Sequence, residues 1–155
     1  MVALVQRVTK ASVETDDETV GAIGPGLLIL LGVHEDDTEA EMHWTARKCA
    51  HLRIFPNEEG KMDRSVRDAD VDNGGEVLVV PQFTLYGDVS RGHRPSFDEA
   101  APPGLAERLY EDFLEAMEEH LDQPVAAGVF GATMDVQLVN DGPVTLWVEK
   151  RADAS

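Results

Sequence analysis

Apolar and polar residues alternate through most of this chain, and the alternation predicts a strand-rich fold. A period of two is typical of half-buried strands, and short continuous apolar runs are typical of fully buried ones. Two of these apolar-rich segments are long, at residues 3–13 and 77–86. The segments that predict strands are 3–13, 20–23, 27–33, 52–55, 77–86, 125–130, 134–139 and 144–149.

Two longer segments predict helices instead. The first opens at Thr38-x-x-Glu41, a capping box whose side chains accept the free N–H groups of the first turn, and it runs to about Ala50. The second spans residues 105–121, where apolar side chains recur at helical spacing. Its apolar positions are Ala106, Tyr110, Phe113, Met117 and Leu121.

Turn residues separate these segments and complete the predicted fold. Ser96-x-x-Glu99 predicts a short extra helix that the Pro-Pro-Gly of residues 102–104 would break, and Gly24-Pro25-Gly26 predicts a turn. The chain is therefore predicted to form one mixed α/β domain over residues 1–155, with sheets packed into a barrel- or sandwich-like core and two main helices. Because strands outnumber helices, part of the sheet surface should pack on another sheet or on a partner.

The composition is typical of a globular protein of a reducing compartment. The only cysteine, Cys49, excludes an internal disulfide, and its place on the apolar face of the first helix favours a core role over a nucleophilic one. The longest apolar run, residues 27–31, is far shorter than the about 20 residues that cross a bilayer. The first residues lack the basic leader of a signal peptide. We expect a cytoplasmic protein without membrane contact.

The chain is strongly acidic. Its 30 Asp and Glu residues against 13 Lys and Arg residues give a net charge of −17, and only four of the basic residues are lysines. Such a surface suits a salt-rich cytoplasm, where ions screen its self-repulsion. An acidic protein of an ordinary cytoplasm is the alternative. Either way, the charge excludes a general affinity for nucleic acid, so any RNA contact must use a small local basic patch.

Charged side chains form no recognisable catalytic or metal-binding motif in the sequence. The acidic run 68–74 resembles the opening of an EF-hand calcium loop, but its glycine falls one place late and Val79 replaces the required bidentate glutamate. The five histidines lack ligand spacing, and no Gly-x-Ser-x-Gly motif occurs. We therefore expect no metal and no cofactor. Ester chemistry would have to use main-chain groups and neutral polar side chains.

Two short motifs carry the candidate chemistry. In Pro81-Gln82-Phe83-Thr84-Leu85-Tyr86, one amide and one hydroxyl interrupt an apolar run. From the residues alone, Gln82 and Thr84 fit two interpretations equally well: a catalytic role, or an ordinary strand with two hydrogen-bonded polar side chains. The second motif, Asn140-Asp141-Gly142-Pro143-Val144-Thr145, places Gly-Pro between two strand segments. Proline cannot donate to a strand ladder, and an X-Pro bond is the peptide bond that becomes cis most readily.

Together the motifs resemble the two hallmarks of the D-aminoacyl-tRNA deacylases, the D-tyrosyl-tRNA deacylase family, which are Ser-Gln-Phe-Thr-Leu and Gly-Pro-Val-Thr. The second hallmark is complete here, whereas Pro81 replaces the serine of the first. The resemblance extends over the whole chain in family order. The further matching positions are 3–8, 26–28, 32–33, 36–38, 48, 52–55, 60–62, 65–66, 92–97 and 130–134.

The resemblance implies a homodimer with active sites at the subunit interface. Gln82, Phe83 and Thr84 would form the catalytic wall, and Gly142 and Pro143 of the other subunit would act as a Gly-cisPro chirality filter. Replacement of Gly142 by alanine would then put a methyl group into the pocket and block D-substrates, with little effect on the fold if that methyl group faces only substrate. The implied tRNA-binding residues are Arg7 behind the filter, Phe130, Gly131, Ala132 and Met134 at the terminal adenosine, and Arg91, His93 and Arg94 near the polynucleotide.

The implied reaction is hydrolysis of the ester bond of D-aminoacyl-tRNA, which proofreads chirality in translation. A filter that excludes the L side chain by shape would accept many D-residues and also glycine, so mischarged glycyl-tRNA is a second expected substrate. Either the 2′-hydroxyl of the terminal ribose or the Thr84 hydroxyl would assist the attack of water on the ester. The sequence offers no base beside Thr84, which favours the RNA hydroxyl.

Two other hypotheses remain open at the level of sequence. Because Pro81 departs from the first hallmark, the chain could be a non-catalytic module that binds the tRNA 3′ end on the same scaffold. A structural acidic protein without an RNA role is the third hypothesis. The retention of Gln82, Thr84 and the whole Gly-Pro-Val-Thr motif favours the enzyme.

Overall fold

The computed structural model describes residues 1–68 and 75–153, and this part of the chain forms eight strands, two α-helices and a 3₁₀ helix. The strands are β1 (Val2–Thr15), β2 (Glu18–Ile23), β3 (Gly26–Gly32), β4 (Phe55–Pro56), β5 (Met62–Arg64), β6 (Glu76–Pro81), β7 (Ala126–Ala127) and β8 (Asp135–Glu149). The helices are α1 (Glu39–His51), the 3₁₀ helix (Phe83–Tyr86) and α2 (Pro103–Leu121). None of the helices described has the length and apolar character that crossing a membrane requires.

The main sheet is built around β1. The strand order is β2-β1-β3-β6-β7, and β8 also pairs with β1. The first half of β1 pairs with β3 and its second half with β2, while β8 follows both halves on the other edge. The pairings of β6 with β3 and with β7 are parallel, and those of β1 are antiparallel.

The sheet curls until its two ends meet. A Cβ atom built on Gly21 of β2 would lie 3.1 Å from the carbonyl oxygen of Ala127 in β7, so these end strands are in contact. A tight turn begins the curl, because Asp16 and Asp17 between β1 and β2 have φ angles of 49° and 65°. Two successive positive φ angles are typical of the hairpin turn that matches strand twist. The predicted mixed α/β class with a barrel-like core and two main helices is confirmed.

Both predicted helices are present. At the start of α1, Glu41 accepts the Thr38 main-chain N–H at 2.7 Å and Thr38 accepts that of Ala40 at 3.2 Å, which confirms the capping box. The second helix, predicted from residue 105, begins two residues earlier, at Pro103. Proline suits the first turn of a helix, where its missing N–H has no partner to lose.

The core lies on both faces of the sheet. One cluster fills the space between the sheet and the two helices, with Phe113, Met117, Leu27 and Ile29 fully buried. A second cluster lies on the opposite face and includes Leu78. Cys49 belongs to the first cluster and is fully buried, which confirms its predicted core role. Burial raises the pKa of its thiol to about 12.

Several predicted boundaries are wrong for identifiable reasons. The strand predicted over 77–86 ends at Pro81, and a 3₁₀ helix follows, because a continuous apolar run has no period that separates the two structures. The helix predicted at Ser96 is absent from the described chain, since Ser96 instead forms two main-chain hydrogen bonds with Asp88, of 2.7 and 2.9 Å. Of the segment 52–55 only Phe55 lies in a strand, β4, and of the segment 125–130 only Ala126–Ala127 does. The short strand β5 was not predicted.

The last strand, β8, is continuous where the sequence predicts two segments, and its apolar side chains change face along its length. Val136 packs in the second cluster, whereas Leu146 and Val148 pack in the first. Strict alternation would place these three even-numbered residues on one face of the sheet. The residues between them, 141–144, leave the ladder and allow the change.

Gly26 gives a test of the parallel pairing between β3 and β6. A Cβ atom at this position would overlap the main-chain carbonyl group of Glu76. We expect Gly26→Ala to lower the free energy of unfolding in urea by about 3 kcal/mol or more, because an overpacked contact with main chain forces the strands apart. Gly104→Ala is the matched control: no atom lies within 4 Å of its Cβ position, so its midpoint should equal or slightly exceed that of wild type. Equal midpoints for both variants would contradict this register.

Candidate active site

A cleft of about 680 Å³ opens where the parallel strands β3 and β6 end. Ligands of α/β sheets commonly bind beyond the carboxyl ends of parallel strands. The walls come from the end of β6, the first turns of α2 and the segment 130–134. Its lining includes Pro81, Gln82, Phe83, Phe97, Tyr110, Phe130, Gly131, Ala132 and Met134.

Tyr110 of α2 fixes the floor of the cleft. Its hydroxyl group lies 2.8 Å from the Gly128 carbonyl oxygen and 3.2 Å from that of Val79, and it donates to them. Burial raises the pKa of this hydroxyl, so the group stays protonated and remains a donor. One side chain therefore connects α2, β6 and the chain that follows β7, which together surround the cleft.

The first of the two sequence motifs begins where the chain leaves β6. Gln82 donates its main-chain N–H to the Leu31 carbonyl at 2.8 Å, and the Thr84 hydroxyl donates to the Gln82 side-chain oxygen at 2.6 Å. This bond uses the hydroxyl hydrogen and leaves the Gln82 amide NH₂ free to donate elsewhere. Within the described chain no histidine or carboxylate is hydrogen bonded to Thr84, so its hydroxyl has no base. No side chain caps the 3₁₀ helix, which leaves the first N–H groups, of Phe83 and Thr84, without a side-chain acceptor.

Pro81 closes the end of β6 without breaking the pairing with β3. Successive main-chain N–H groups of a strand point to opposite edges, and that of Gln82 points to β3. The missing N–H of Pro81 therefore falls on the other edge, beyond the end of β7. The proline ring packs there, with its Cδ 3.4 Å from the position of a Cβ built on Gly128. The loss of the family serine removes a hydroxyl but leaves the strand intact.

Aromatic side chains form one rim of the cleft. The rings of Phe83 and Phe97 meet edge to face, with their centroids 5.2 Å apart. Both stay accessible, with Phe83 57% and Phe97 38% exposed. Phe130 lies deeper, its ring centroid 6.3 Å from that of Tyr110. Exposed aromatic faces of this kind can stack on a nucleic-acid base.

The Gly-Pro motif lies outside the cleft of its own chain. Asn140 pairs with Val8 and Thr145 with Gln6, so residues 141–144 stand opposite Arg7 alone and are extruded from the ladder. Within this loop the Gly142–Pro143 peptide bond is cis, and both residues are exposed. Neither residue lines the cleft described above.

Asn140 and Arg7 hold the base of the extruded loop. The Asn140 side-chain amide donates to the carbonyls of Arg7 and Val144, both at 3.0 Å. The Arg7 guanidinium donates to the Ile54 carbonyl at 2.6 Å, and its Nε lies 3.1 Å from the Asp141 carboxylate without the alignment of a hydrogen bond. The guanidinium thus occupies the space beneath the loop.

The condition that a methyl group at Gly142 faces only substrate is not met. Its φ angle is 119°, in a region that favours glycine. A Cβ atom there would lie 2.9 Å from a methyl group of Val144 and 3.1 Å from the Arg7 guanidinium. Gly142→Ala would therefore disturb the loop in its own chain before it met any substrate.

The predicted site residues thus fall into three places. The first is the cleft, with Gln82, Phe83, Phe130, Gly131, Ala132 and Met134 on its walls and Thr84 on the adjacent 3₁₀ helix. The second is the extruded loop, with Arg7, Gly142 and Pro143. The third is an exposed loop closed by the Asp88–Ser96 bridge, which carries Arg91, His93 and Arg94. Residues 1–68 and 75–153 contain no group of three His, Cys, Asp or Glu side chains that could hold a metal ion.

Comparison with known proteins assigns the chain to a family. The sequence model described as D-Tyr-tRNA(Tyr) deacylase matches residues 4–149. The chain belongs to the D-Tyr-tRNA(Tyr) deacylase family. It is 66% identical over 153 residues to a D-aminoacyl-tRNA deacylase of Salinibacter ruber, with 99% of each chain covered. It is 53% identical over 152 residues to that of Opitutus terrae, with 98% of this chain and 99% of that one covered. The family resemblance of the two motifs is confirmed.

Solved structures share the fold of this deacylase-family chain. A c-Myc DNA unwinding element binding protein superposes with a TM-score of 0.88 at 41% identity, covering 98% of this chain and all 100% of that one. A probable eukaryotic D-amino acid tRNA deacylase superposes with a TM-score of 0.81 over 95% of this chain and 97% of that one. Its identity of 16% supports similarity of fold alone.

Sequence reasoning missed three residues that shape this deacylase-family site. Tyr110 resembles an ordinary core position of α2, because helical spacing gives no sign of where its hydroxyl points. Phe97 lies within the Ser96-x-x-Glu99 motif, which predicted a helix. Asn140 opens the second motif, and an asparagine at the edge of a Gly-Pro turn is the one available signal, since its amide can bond to main chain.

Asn140 gives a test of how the loop is held. Asn140→Asp keeps the shape of the side chain but replaces its NH₂ donors with a charged oxygen facing the Arg7 and Val144 carbonyls. We expect a loss of about 1–3 kcal/mol in the free energy of unfolding, the usual cost of unsatisfied buried groups. Gln137→Glu, which makes the same amide-to-acid change at an exposed position of β8, is the control and should stay within about 0.5 kcal/mol. Equal losses for both variants would contradict the role given to Asn140.

Proposed function

We propose that this chain hydrolyses the ester bond of D-aminoacyl-tRNA, releasing tRNA and the D-amino acid, as a cytoplasmic proofreading enzyme of translation. Membership of the family carries this proposal, together with the cleft in which Gln82 and Phe83 lie beside Phe130–Met134. The acidic composition suits a salt-rich cytoplasm, so the enzyme should be assayed with abundant salt. No metal or cofactor is part of the proposed reaction.

The proposed chemistry uses main-chain groups of the 3₁₀ helix. In this mechanism the N–H groups of Phe83 and Thr84, with the free Gln82 amide, stabilise the negative charge that develops on the ester carbonyl oxygen. Water adds to the carbonyl carbon, the bond to the ribose 3′-oxygen breaks, and that oxygen leaves with a proton. Because the Thr84 hydroxyl already donates to Gln82 and has no base, the ribose 2′-hydroxyl is the group we propose to assist the water.

The terminal adenosine is proposed to occupy the wall formed by Phe130, Gly131, Ala132 and Met134. Gly131 has a φ of 79°, and no atom lies within 4 Å of its Cβ position, so the main chain is open to a ligand there. The ring of Phe130 offers an apolar surface for the base. Arg91 and Arg94, on the exposed loop, are proposed to meet the adjoining phosphates.

The chirality filter is proposed to come from the other subunit of a homodimer. Two features support this: the Gly142–Pro143 loop is exposed and does not line its own cleft, and the sheet face without helices leaves Trp147 54% exposed. A main-chain wall at this point would exclude an L side chain by shape and would tolerate D side chains of many kinds. It would not detect glycine, so glycyl-tRNA is proposed as a second substrate.

The first prediction of this proposal concerns substrate choice. We expect the protein to deacylate D-tyrosyl-tRNA and glycyl-tRNA and to leave L-tyrosyl-tRNA intact, as followed by loss of labelled amino acid. Gln82→Ala and Thr84→Ala should each slow the reaction by less than the about 10²–10³-fold that loss of an oxyanion donor costs, because the main-chain donors remain. Binding of tRNA without hydrolysis would instead support the non-catalytic 3′-end module. Complete loss of activity in Thr84→Ala, with fold and binding intact, would make its hydroxyl obligatory.

The second prediction concerns the dimer. Sedimentation should give twice the mass of one 16.9 kDa chain. Ala132→Trp fills the cleft and Gly142→Ala distorts the loop, so each variant alone should be inactive. A heterodimer purified with two different tags should regain about half of wild-type activity if loops act across the interface, since one of its two sites is then free of both changes. An inactive heterodimer of folded chains, or an active wild-type monomer, would contradict the cross-subunit filter.

A further inference from the structure

The exposed side of α1 carries a basic cluster on an otherwise acidic chain. The chain contains only four lysines, and two of them, Lys48 and Lys150, place their ammonium groups 5.2 and 5.5 Å from the centroid of the Trp44 ring. A ring at this range attracts a cation through its negative face. Trp44, itself 37% exposed, therefore holds both ammonium groups at one place on the surface.

The cluster continues along α1 toward its C-terminus. Arg67 donates to the His120 carbonyl at 2.9 Å and lies 3.0 Å from His51 Nε2, while His51 Nδ1 lies 2.8 Å from the Arg47 carbonyl. These contacts assign the His51 proton to Nδ1. The pKa of His120 is lowered, first by burial and then by its basic neighbours, among them Arg67 and Arg47. We define the α1 basic face by its members Trp44, Arg47, Lys48, His51, Arg67 and Lys150.

Helix α1 contributes no acidic residue to this face after Glu41. A carboxylate does lie beside a member of the face: that of Asp68, whose pKa is lowered first by its hydrogen bonds with Ser65 and further by the charge of Arg67. No Asp or Glu occurs between Met42 and His51, although 30 of the 155 residues are acidic. Within the described ranges, Arg47, Lys48 and Lys150 form no ion pair with a carboxylate. The positive charge at this face is therefore available to an anionic partner.

The end of helix α1 explains only part of this basic cluster. Basic residues in the last turn of a helix stabilise its terminal carbonyls, and this effect accounts for Lys48 and His51. It does not account for Lys150, which follows β8, or for the exposed Trp44 that the two lysines share. Three separate segments of the chain thus bring positive charge to one surface.

Helix α2 connects this face to the cleft. Pro103 and Tyr110 line the cleft, and His120, near the other end of the same helix, contacts Arg67. With a rise of 1.5 Å per residue, the α1 basic face lies about 15–25 Å from the cleft along α2. A nucleic acid whose 3′ end enters the cleft extends well beyond this distance.

We propose that the α1 basic face binds the phosphate backbone in the double-helical part of the tRNA whose 3′ end occupies the cleft. The inference rests on the proposed function and adds a second contact to it. Phosphate contacts position a nucleic acid without reading its sequence, which suits an enzyme that acts on tRNAs of many kinds. On a chain with a net charge of −17, such a local face offsets the repulsion that the rest of the surface exerts on RNA.

The four lysines allow a matched experiment. Lys48→Gln/Lys150→Gln removes two charges from the α1 basic face, and Lys10→Gln/Lys61→Gln removes the same two charges from exposed positions elsewhere. Each double variant is assayed with full-length D-tyrosyl-tRNA and with D-tyrosyl-adenosine, which is too short to reach the face. Urea midpoints verify that both variants remain folded.

We expect Lys48→Gln/Lys150→Gln to raise KM for the full-length tRNA about tenfold at moderate salt, with kcat and the rate on D-tyrosyl-adenosine unchanged. Affinity should also depend less steeply on salt. The magnitude of the slope of log affinity against log salt should decrease by about 2, that is by one for each phosphate that a lysine no longer neutralises. The control variant should match wild type in both measurements. Equal KM values for the two double variants, or an equal loss on both substrates, would overturn the proposal. Wild-type protein inactive on both substrates would instead refute the proposed function.

Discussion

Both edges of β1 are hydrogen bonded along most of its length, and this double pairing fixes the end of β6 at the cleft relative to the Gly142–Pro143 loop. On one edge β1 orders β3, which carries β6 in parallel and ends at the cleft. On the other edge it orders β8, which carries the Gly142–Pro143 loop. Cleft and loop therefore belong to one rigid sheet, although they lie apart in each chain.

The sequence predicted best where a single interaction dominates. The capping box at Thr38 and the apolar stripe of α2 each depend on local spacing, and both helices form as expected. Prediction failed where tertiary contacts decide the conformation. The apolar run after Val77 continues past the end of β6, and only the bond from Gln82 to Leu31 shows where the strand stops. In β8 the alternation of apolar residues concealed the change of face, because the loop at 141–144 shifts the register.

The candidate site likewise divides into residues that local motifs predicted and contacts that only the tertiary structure shows. The two motifs and their resemblance to the family indicated Gln82 and Phe83, and these residues do line the cleft together with Phe130 and the residues that follow it. The same reasoning could not show that Gly142 is crowded by its own chain, since the Arg7 guanidinium beneath the loop is brought there by strand pairing. Contacts between residues more than 100 positions apart, such as that of Asn140 with Arg7, follow from the sheet and not from any local pattern.

The burial of Cys49 has a practical consequence for studying the protein. The thiolate is the form that reacts with alkylating dyes and oxidants, and a fully buried thiol with a pKa of about 12 supplies almost none of it at neutral pH. Cys49 is also the only cysteine in the chain. A single cysteine introduced on the surface would thus accept one fluorophore or spin label without prior removal of the native thiol, which makes distances between subunits, or between protein and RNA, directly measurable in solution.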